Sequence, residues 1–282
     1  MLIEKRITAD DLAVQVYTAG EGNPRALLLL HGEVGDASLH WSPSASFLAE
    51  EYYVIAPNLP GYGESALLRE PTLAALVHWL KALLDALNVE QAAVVGNSFG
   101  GLVARLFAAA HPQSVPALIL VNGGVLPRPI SSLARLLARL PIIGDMGFNS
   151  ASRAMLTPKA LGWMLQNPAG LTDSFLEQVK ATASGLAWTL RVSGTSPIPE
   201  QNVPPLPTLL LWGADDPVLS QQDAARLQSE LPGAQLALIE STKHSPHLDE
   251  PDVFAFQVGQ YLDRLNRPVS PRLRGVGKLG AG

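Results

Sequence analysis

The chain of 282 residues contains no cysteine, which excludes disulfides, thiolate nucleophiles and thiolate metal sites. Charged residues are sparse at 16%, against a hydrophobic fraction of 47%, so a globular chain with a large buried interior is expected. Basic residues are outnumbered: 20 Lys and Arg stand against 25 Asp and Glu, for a net charge of −5. That balance offers no electrostatic footprint for nucleic acid, and no finger, helix-turn-helix or RNA-binding signature is present. No uninterrupted apolar run reaches the roughly 18 residues of a membrane-spanning helix. The opening Met1-Leu2-Ile3-Glu4-Lys5-Arg6 has no apolar h-region, so a cytoplasmic protein is expected. There is no His-Glu-x-x-His, no acidic cluster with ligand spacing, no P-loop and no dinucleotide fingerprint, and neither a metal nor a cofactor is expected.

Where the chain is rich is in short apolar runs that alternate with helical patterns. Leu12 to Tyr17, Ala26 to Leu30, Tyr52 to Ala56, Ala92 to Val95, Ala117 to Val121, Thr208 to Trp212 and Gln235 to Ile239 read as strands. Between them, Leu73, Leu76, Val77, Leu80, Leu83, Leu84 and Leu87 recur at helical spacing, and helices are predicted over Leu102 to Ala110, Ser220 to Glu230 and Pro251 to Leu265. Strands alternating with helices imply parallel crossovers, so the fold class is α/β with a doubly wound, mostly parallel sheet. The alternation stops between Gly124 and Pro204, where the patterns are helical, and Pro197, Pro199, Pro204, Pro205 and Pro207 mark a stiff return. The organisation read from this is a core of residues 1–123 and 204–265, an inserted helical cap at 124–203, and a tail at 266–282 expected to be poorly ordered.

Residues 96–101 read Gly-Asn-Ser-Phe-Gly-Gly, directly after the apolar run that ends at Val95. Gly-x-Ser-x-Gly between a strand and a helix is the signature of a strained turn that lifts a serine hydroxyl above the sheet. Gly96 and Gly100 remove the side chains that would collide in so tight a turn. A serine hydroxyl is a weak nucleophile unless a base and an orienting acid accompany it. Two loops offer them: Gly213-Ala214-Asp215-Asp216-Pro217 after one strand and Lys243-His244-Ser245-Pro246-His247 after the next. In an open parallel sheet, loops after strands gather at one carboxyl edge. Leu30-His31-Gly32-Glu33-Val34-Gly35 ends a further strand there, and could offer the backbone N–H of Glu33, beside that of Phe99, to a developing oxyanion.

These segments together resemble the α/β-hydrolase superfamily, in particular its capped, esterase-like members. The resemblance spans residues ~10 to 265 and is carried by His31-Gly32, by Pro60-Gly61-Tyr62-Gly63-Glu64-Ser65, by the elbow, and by His244-x-Pro246-x-x-Asp249-x-Pro251. It implies Ser98 as nucleophile, Asp216 rather than Asp215 as acid, and His244 rather than His247 as base. Asn58 departs from the Asp that many relatives carry before Pro-Gly. The implied reaction is hydrolysis of small-molecule carboxylic esters with apolar acyl or aromatic groups through an acyl-enzyme. Two alternatives stand beside it. One is hydrolysis of a carbon–carbon bond in a vinylogous diketone, although relatives of that kind carry a longer glycine-rich loop and an aromatic after the histidine, where this chain has Ser245. The other is a homologue that binds ligands without turnover, which labelling by a serine-directed fluorophosphonate would separate.

The remaining candidates receive structural readings. His31 is expected to order the oxyanion loop, and the Glu33 side chain to turn to solvent, because a carboxylate aimed inward would oppose the developing charge. His40, His78 and His111 read as surface or helix-end residues, Asp215 and His247 as outer neighbours of the site, and Asp249 as a cap for the last helix. Arg135 and Arg139 share one face of a cap helix that could touch an anionic membrane. A cap helix with its arginines in water is preferred over that reading. Nothing in the sequence sets an oligomeric state.

Overall fold

The apolar runs pair into one eight-stranded sheet in the order β1-β2-β4-β3-β5-β6-β7-β8. The computed structural model describes residues 1–126, 141–199 and 202–266. In chain order the first half is β1 (Ile3–Ala9), β2 (Leu12–Ala19), β3 (Ala26–Leu30), α1 (Ala37–Leu48), β4 (Tyr53–Pro57), α2 (Leu73–Ala86), β5 (Ala92–Asn97), α3 (Phe99–Ala110) and β6 (Leu118–Val121). An insertion follows with α4 (Pro141–Met155), α5 (Pro158–Leu161), α6 (Asp173–Ala181) and α7 (Ala183–Thr195). The sheet then resumes with β7 (Thr208–Gly213), α8 (Gln221–Glu230), β8 (Gln235–Ile239), α9 (Pro246–Asp249) and α10 (Pro251–Asn266). β1 and β2 are antiparallel to their neighbours, and β3 to β8 run parallel. This is the doubly wound sheet expected, with the helical insertion forming a cap.

Strands covered on both faces read as continuous apolar runs, and their two-residue period divides them between two cores. Leu28, Leu30 and Val94 face α2 and α3, where Leu76, Leu80 and Phe107 are buried. Leu27, Leu29 and Val95 face α1 and α10, packing on Trp41, Phe254 and Leu262. A third cluster belongs to the cap, where Leu161, Met164, Leu165, Val179 and Leu186 close over Val34 and Leu39. The cap therefore has a core of its own, seated on the loop after β3.

Among the elements not predicted are β1 and α1. β1 is a half-exposed edge strand, whose Ile3 is 60% exposed, so it shows no apolar run. α1 carries four serines and an internal Pro43, poor helix formers that conceal its buried face. It is held instead by its cap, in which the Asp36 side chain accepts from the Leu39 N–H at 2.9 Å, and by Trp41. The leucines at 133, 136, 137 and 140, Arg135, Arg139 and the tail beyond 266 lie outside the described residues.

Candidate active site

The register of the parallel strands brings the ends of β5, β6, β7 and β8 level: Asn97 pairs with Val121, Val121 with Leu211, and Gly213 with Ile239. Ser98 follows at once. Its backbone sits at φ 52° and ψ −116°, a conformation that an L-residue holds only where its surroundings over-determine it. A Cβ at Gly96 would lie 2.3 Å from the Gly100 carbonyl oxygen, and one at Gly100 would lie 2.3 Å from that of Leu30. Both glycines are thus demanded by the close approach of backbone to backbone. The Ser98 N–H donates to the Val121 oxygen at 3.1 Å, which locks the turn to the neighbouring strand.

From the loops after β7 and β8 come the acid and the base. His244 Nε2 lies 2.8 Å from Ser98 Oγ, and His244 Nδ1 lies 2.7 Å from Asp216 Oδ2. Asp216 Oδ2 also accepts from Asn122 Nδ2 at 2.7 Å, and Oδ1 accepts from the Val218 N–H at 2.8 Å. An ionised carboxylate can only accept, so Nδ1 of His244 carries a proton and Nε2 presents its lone pair to the serine. Asn122 in turn accepts from the Gly213 N–H, and Asn97 Nδ2 donates to the carbonyls of Val121 and His244. These two asparagines hold the acid and the base in place. The sequence marked Asn97 only as the x of a motif and Asn122 not at all, since their role appears only once the strands are side by side. Asp215 lies outside this set, with Gln166 Nε2 at 3.4 Å from its carboxylate.

The loop after β3 is fixed by three buried donors. His31 Nε2 accepts from the Leu59 N–H at 3.0 Å, so its proton is on Nδ1, which faces the Gly32 oxygen at 2.6 Å. Tyr62 Oη donates to the Glu33 oxygen at 2.7 Å and accepts from Thr189 of the cap at 3.0 Å. His40 Nε2 donates to the Val34 oxygen at 2.8 Å. Gly32 abuts the nucleophile, since a Cβ there would lie 3.3 Å from Ser98 Cβ. The expected solvent-facing Glu33 is corrected: its Oε2 accepts from the Phe99 N–H at 3.2 Å, because the unmet N–H groups at the start of α3 attract a carboxylate. Asn58 is buried, accepting from the Ala37 N–H and donating to Gln15 Oε1 at 2.7 Å. The second bond needs an amide, which gives the departure at this position a structural use.

His40 is also corrected, for at 1% exposed it does not reach solvent, and His247, read as an outer neighbour of the site, is 0% exposed beside it. With its Nε2 proton committed to Val34, His40 accepts at Nδ1 from His247 Nε2 at 3.0 Å. His247 Nδ1 is then buried with no protein partner among the described residues. Burial pushes His31 and His40 down to about 4 and holds His247 well below the ordinary 6.5. The three rings are neutral props beneath the loop.

The cap is tied to the histidine loop. The Ser245 N–H donates to the Met164 oxygen at 3.1 Å, Lys243 Nζ donates to the Gly162 oxygen at 2.9 Å, and the Trp163 ring meets the His244 ring edge-on at 4.9 Å. Asp249 does not cap the last helix. Its two oxygens accept from the N–H groups of Gln166 and Lys243, clasping cap and loop together, and burial raises its pKa. Among the described residues, no group of three or more His, Cys, Asp or Glu could hold a metal.

A model described as the alpha/beta hydrolase family matches residues 27–258. The chain belongs to the alpha/beta hydrolase family. Among relatives of this hydrolase, an uncharacterized protein of Mycobacterium tuberculosis is 31% identical over 262 residues, covering 86% of this chain and 76% of its own. The 2-hydroxy-6-oxononadienedioate/2-hydroxy-6-oxononatrienedioate hydrolase of Burkholderia vietnamiensis is 29% identical, covering 90% and 92%. Among solved structures, a bacterial membrane phospholipase A superposes with a TM-score of 0.75 at 26% identity, over 95% of this chain and 87% of that one. Fold, family and the geometry of Ser98, His244 and Asp216 together make this a serine hydrolase.

Proposed function

We propose that this hydrolase cleaves carboxylic esters with apolar acyl or aromatic groups through an acyl-serine intermediate. The observation that carries the reading is the chain of two short hydrogen bonds, 2.8 Å and 2.7 Å, from Ser98 through His244 to Asp216. His244 takes the serine proton as Oγ attacks the carbonyl, and Asp216 stabilises the imidazolium. The oxyanion accepts from the N–H groups of Glu33 and Phe99. In a planar trans peptide the C=O and the next N–H point opposite ways, so the Gly32 carbonyl held at His31 leaves the Glu33 N–H directed away from that ring. Collapse expels the alcohol with the proton from His244, and a water activated by the same base frees the acid. The apolar preference is supported by Leu161, Met164 and Leu165 closing over Val34, and by Trp163 against the base.

A second reading is favoured by the comparisons. The substrate named for the Burkholderia vietnamiensis relative is an oxo-dienedioate, and hydrolysis at a ketone carbonyl breaks a carbon–carbon bond. The same triad would attack that ketone, with a stabilised carbanion leaving instead of an alcohol. That relative is also matched at 29% identity, against 26% for the phospholipase. The ester reading is placed first because the carboxylate of Glu33, which opposes a dianionic substrate, lies at the elbow amide. A panel of p-nitrophenyl esters of graded acyl length, run beside a 2-hydroxy-6-oxo-dienoate, tests the choice. Ester turnover that exceeds dienoate consumption and vanishes in Ser98→Ala supports the first reading. Dienoate consumption without ester turnover replaces it with the second.

A further inference from the structure

Helix α3 begins at the nucleophile and lacks the usual device for its first turn. Ser98 is its N-cap residue, yet the side chain makes no capping hydrogen bond, because Oγ is engaged by His244. The N–H groups of a first helical turn need an acceptor, and a negative charge is stabilised there by the helix dipole. The Phe99 N–H finds its acceptor in Glu33 Oε2, a half-buried carboxylate that has no ion pair among the described residues. The same N–H is the elbow's donor to a reacting carbonyl. A carboxylate oxygen bonded to it therefore stands where a substrate oxygen must go.

We propose that the Glu33 side chain is an internal ligand of the oxyanion site, which substrate must displace and which selects against substrates bearing an anion beside the reacting carbonyl. The inference rests on the serine hydrolase reading above. Only the side chain has to move. The carbonyls of Gly32, Glu33 and Val34 are bonded to His31, Tyr62 and His40, so the backbone of the loop stays while the carboxylate swings away. A charge-assisted hydrogen bond is among the stronger ones, so each productive binding event competes with it. Once displaced, the carboxylate remains next to the site and repels a second negative charge.

The test compares the wild-type protein with Glu33→Ala and Glu33→Gln, following the rate at which an uncharged fluorophosphonate labels Ser98, with and without acetate. Loss of the internal ligand in Glu33→Ala should raise the second-order labelling rate ~10-fold, a change equal to one strong hydrogen bond. Acetate should slow labelling of Glu33→Ala competitively by filling the vacated place, and leave the wild type unaffected. Glu33→Gln retains an acceptor without the charge, so its rate should fall between the two, and it serves should the alanine variant not fold. Labelling of either variant at or below the wild-type rate, with acetate acting equally on all three, overturns the proposal and leaves Glu33 as a helix cap alone. No labelling of Ser98 in any of the three overturns the hydrolase reading, and this inference with it.

Discussion

The site has a floor and a roof, and the two are built differently. The floor is the carboxyl edge of the parallel sheet, where Ser98, Asp216 and His244 lie beyond the ends of β5, β7 and β8 and are braced by Asn97, Asn122 and the Val121 carbonyl. Its strands β5, β6 and β7 are buried throughout, and a hydrogen-bonded ladder fixes each position to its neighbour. The roof is the cap, with a small core of its own that touches the floor through Val34, Leu39 and Leu248, while Trp188 and Val192 of α7 join the core beneath. It is tethered by a few polar links: Met164 to Ser245, Gly162 to Lys243, Gln166 to Asp249, and Thr189 to Tyr62. Packed sheet cores are not continuously deformable, whereas a roof on a few tethers can change its lining without disturbing the ladder beneath. Under the proposed function, chemistry belongs to the floor and substrate choice to the roof. Two of these tethers, at Lys243 and Ser245, flank the catalytic histidine, and a third ends on Asp249, which accepts from the Lys243 N–H, so cap and base communicate there.

Breaking the floor should produce the largest effects. Ser98→Ala should lower ester kcat by up to ~10⁶-fold, because triad members act as a unit, while the thermal midpoint stays near that of the wild type. Near-normal turnover in that variant would move the chemistry elsewhere. Asp216→Asn should cost ~10⁴ in kcat through loss of tautomer control, with Asp215→Asn within about 10-fold of wild type. The reverse ranking would show that the wrong carboxylate has been placed in the floor.

The props beneath the floor can be tested by acid. His31 and His40 have folded-state pKa values of about 4 against 6.5 for an ordinary imidazole. Between those values the unfolded chain binds protons that the folded chain does not, so stability falls as pH drops from about 6.5 to about 4 and is unaffected by these rings above that window. Each should contribute a loss of about 3 kcal/mol at the bottom of it. His247, also depressed, adds in the same direction. Urea unfolding at pH 7, 6, 5 and 4.5 measures this, and a stability that stays level across the series would show that the rings are not neutral props.

The smallest effects should come from the roof. Each added acyl methylene is worth about 0.8 kcal/mol when buried, so kcat/KM should rise roughly 4-fold per carbon from acetate to about hexanoate. It should then reverse when the chain outgrows the cavity. A flat profile would show that the cap does not line the acyl site, and would break the division between floor and roof.

Where sequence reading succeeded, the cause was local. Ala26 to Leu30 and Gln235 to Ile239 match β3 and β8 residue for residue: β3 is buried over Leu27 to Leu30 and has nowhere to place a polar residue, while the partly exposed edge strand β8 is marked by its apolar run from Leu236. The elbow was legible because the strained turn is contained in five residues, and a Cβ at Gly96 would collide with Gly100 within it. Where reading failed, the partners were distant. His40 and His247 meet across 207 positions, and Asp249 finds the Gln166 N–H across 83. A lone histidine on a serine-rich stretch carries no mark of such a partner. Glu33 was read by the chemistry it would oppose, whereas the structure placed it by the helix end it satisfies.

The amino-acid sequence by itself determined the order of strands and helices, the strained serine turn and the two loops able to supply its acid and base. Those follow from apolar periodicity and backbone sterics over a few residues. Only the tertiary structure decided that the cap is clasped to the histidine loop, that three buried histidines lie beneath the loop after β3, and that the Glu33 carboxylate accepts from the Phe99 N–H. Each of these depends on strand register and on contacts between remote segments, where the local rules are silent and the need to pair every buried donor and acceptor takes over.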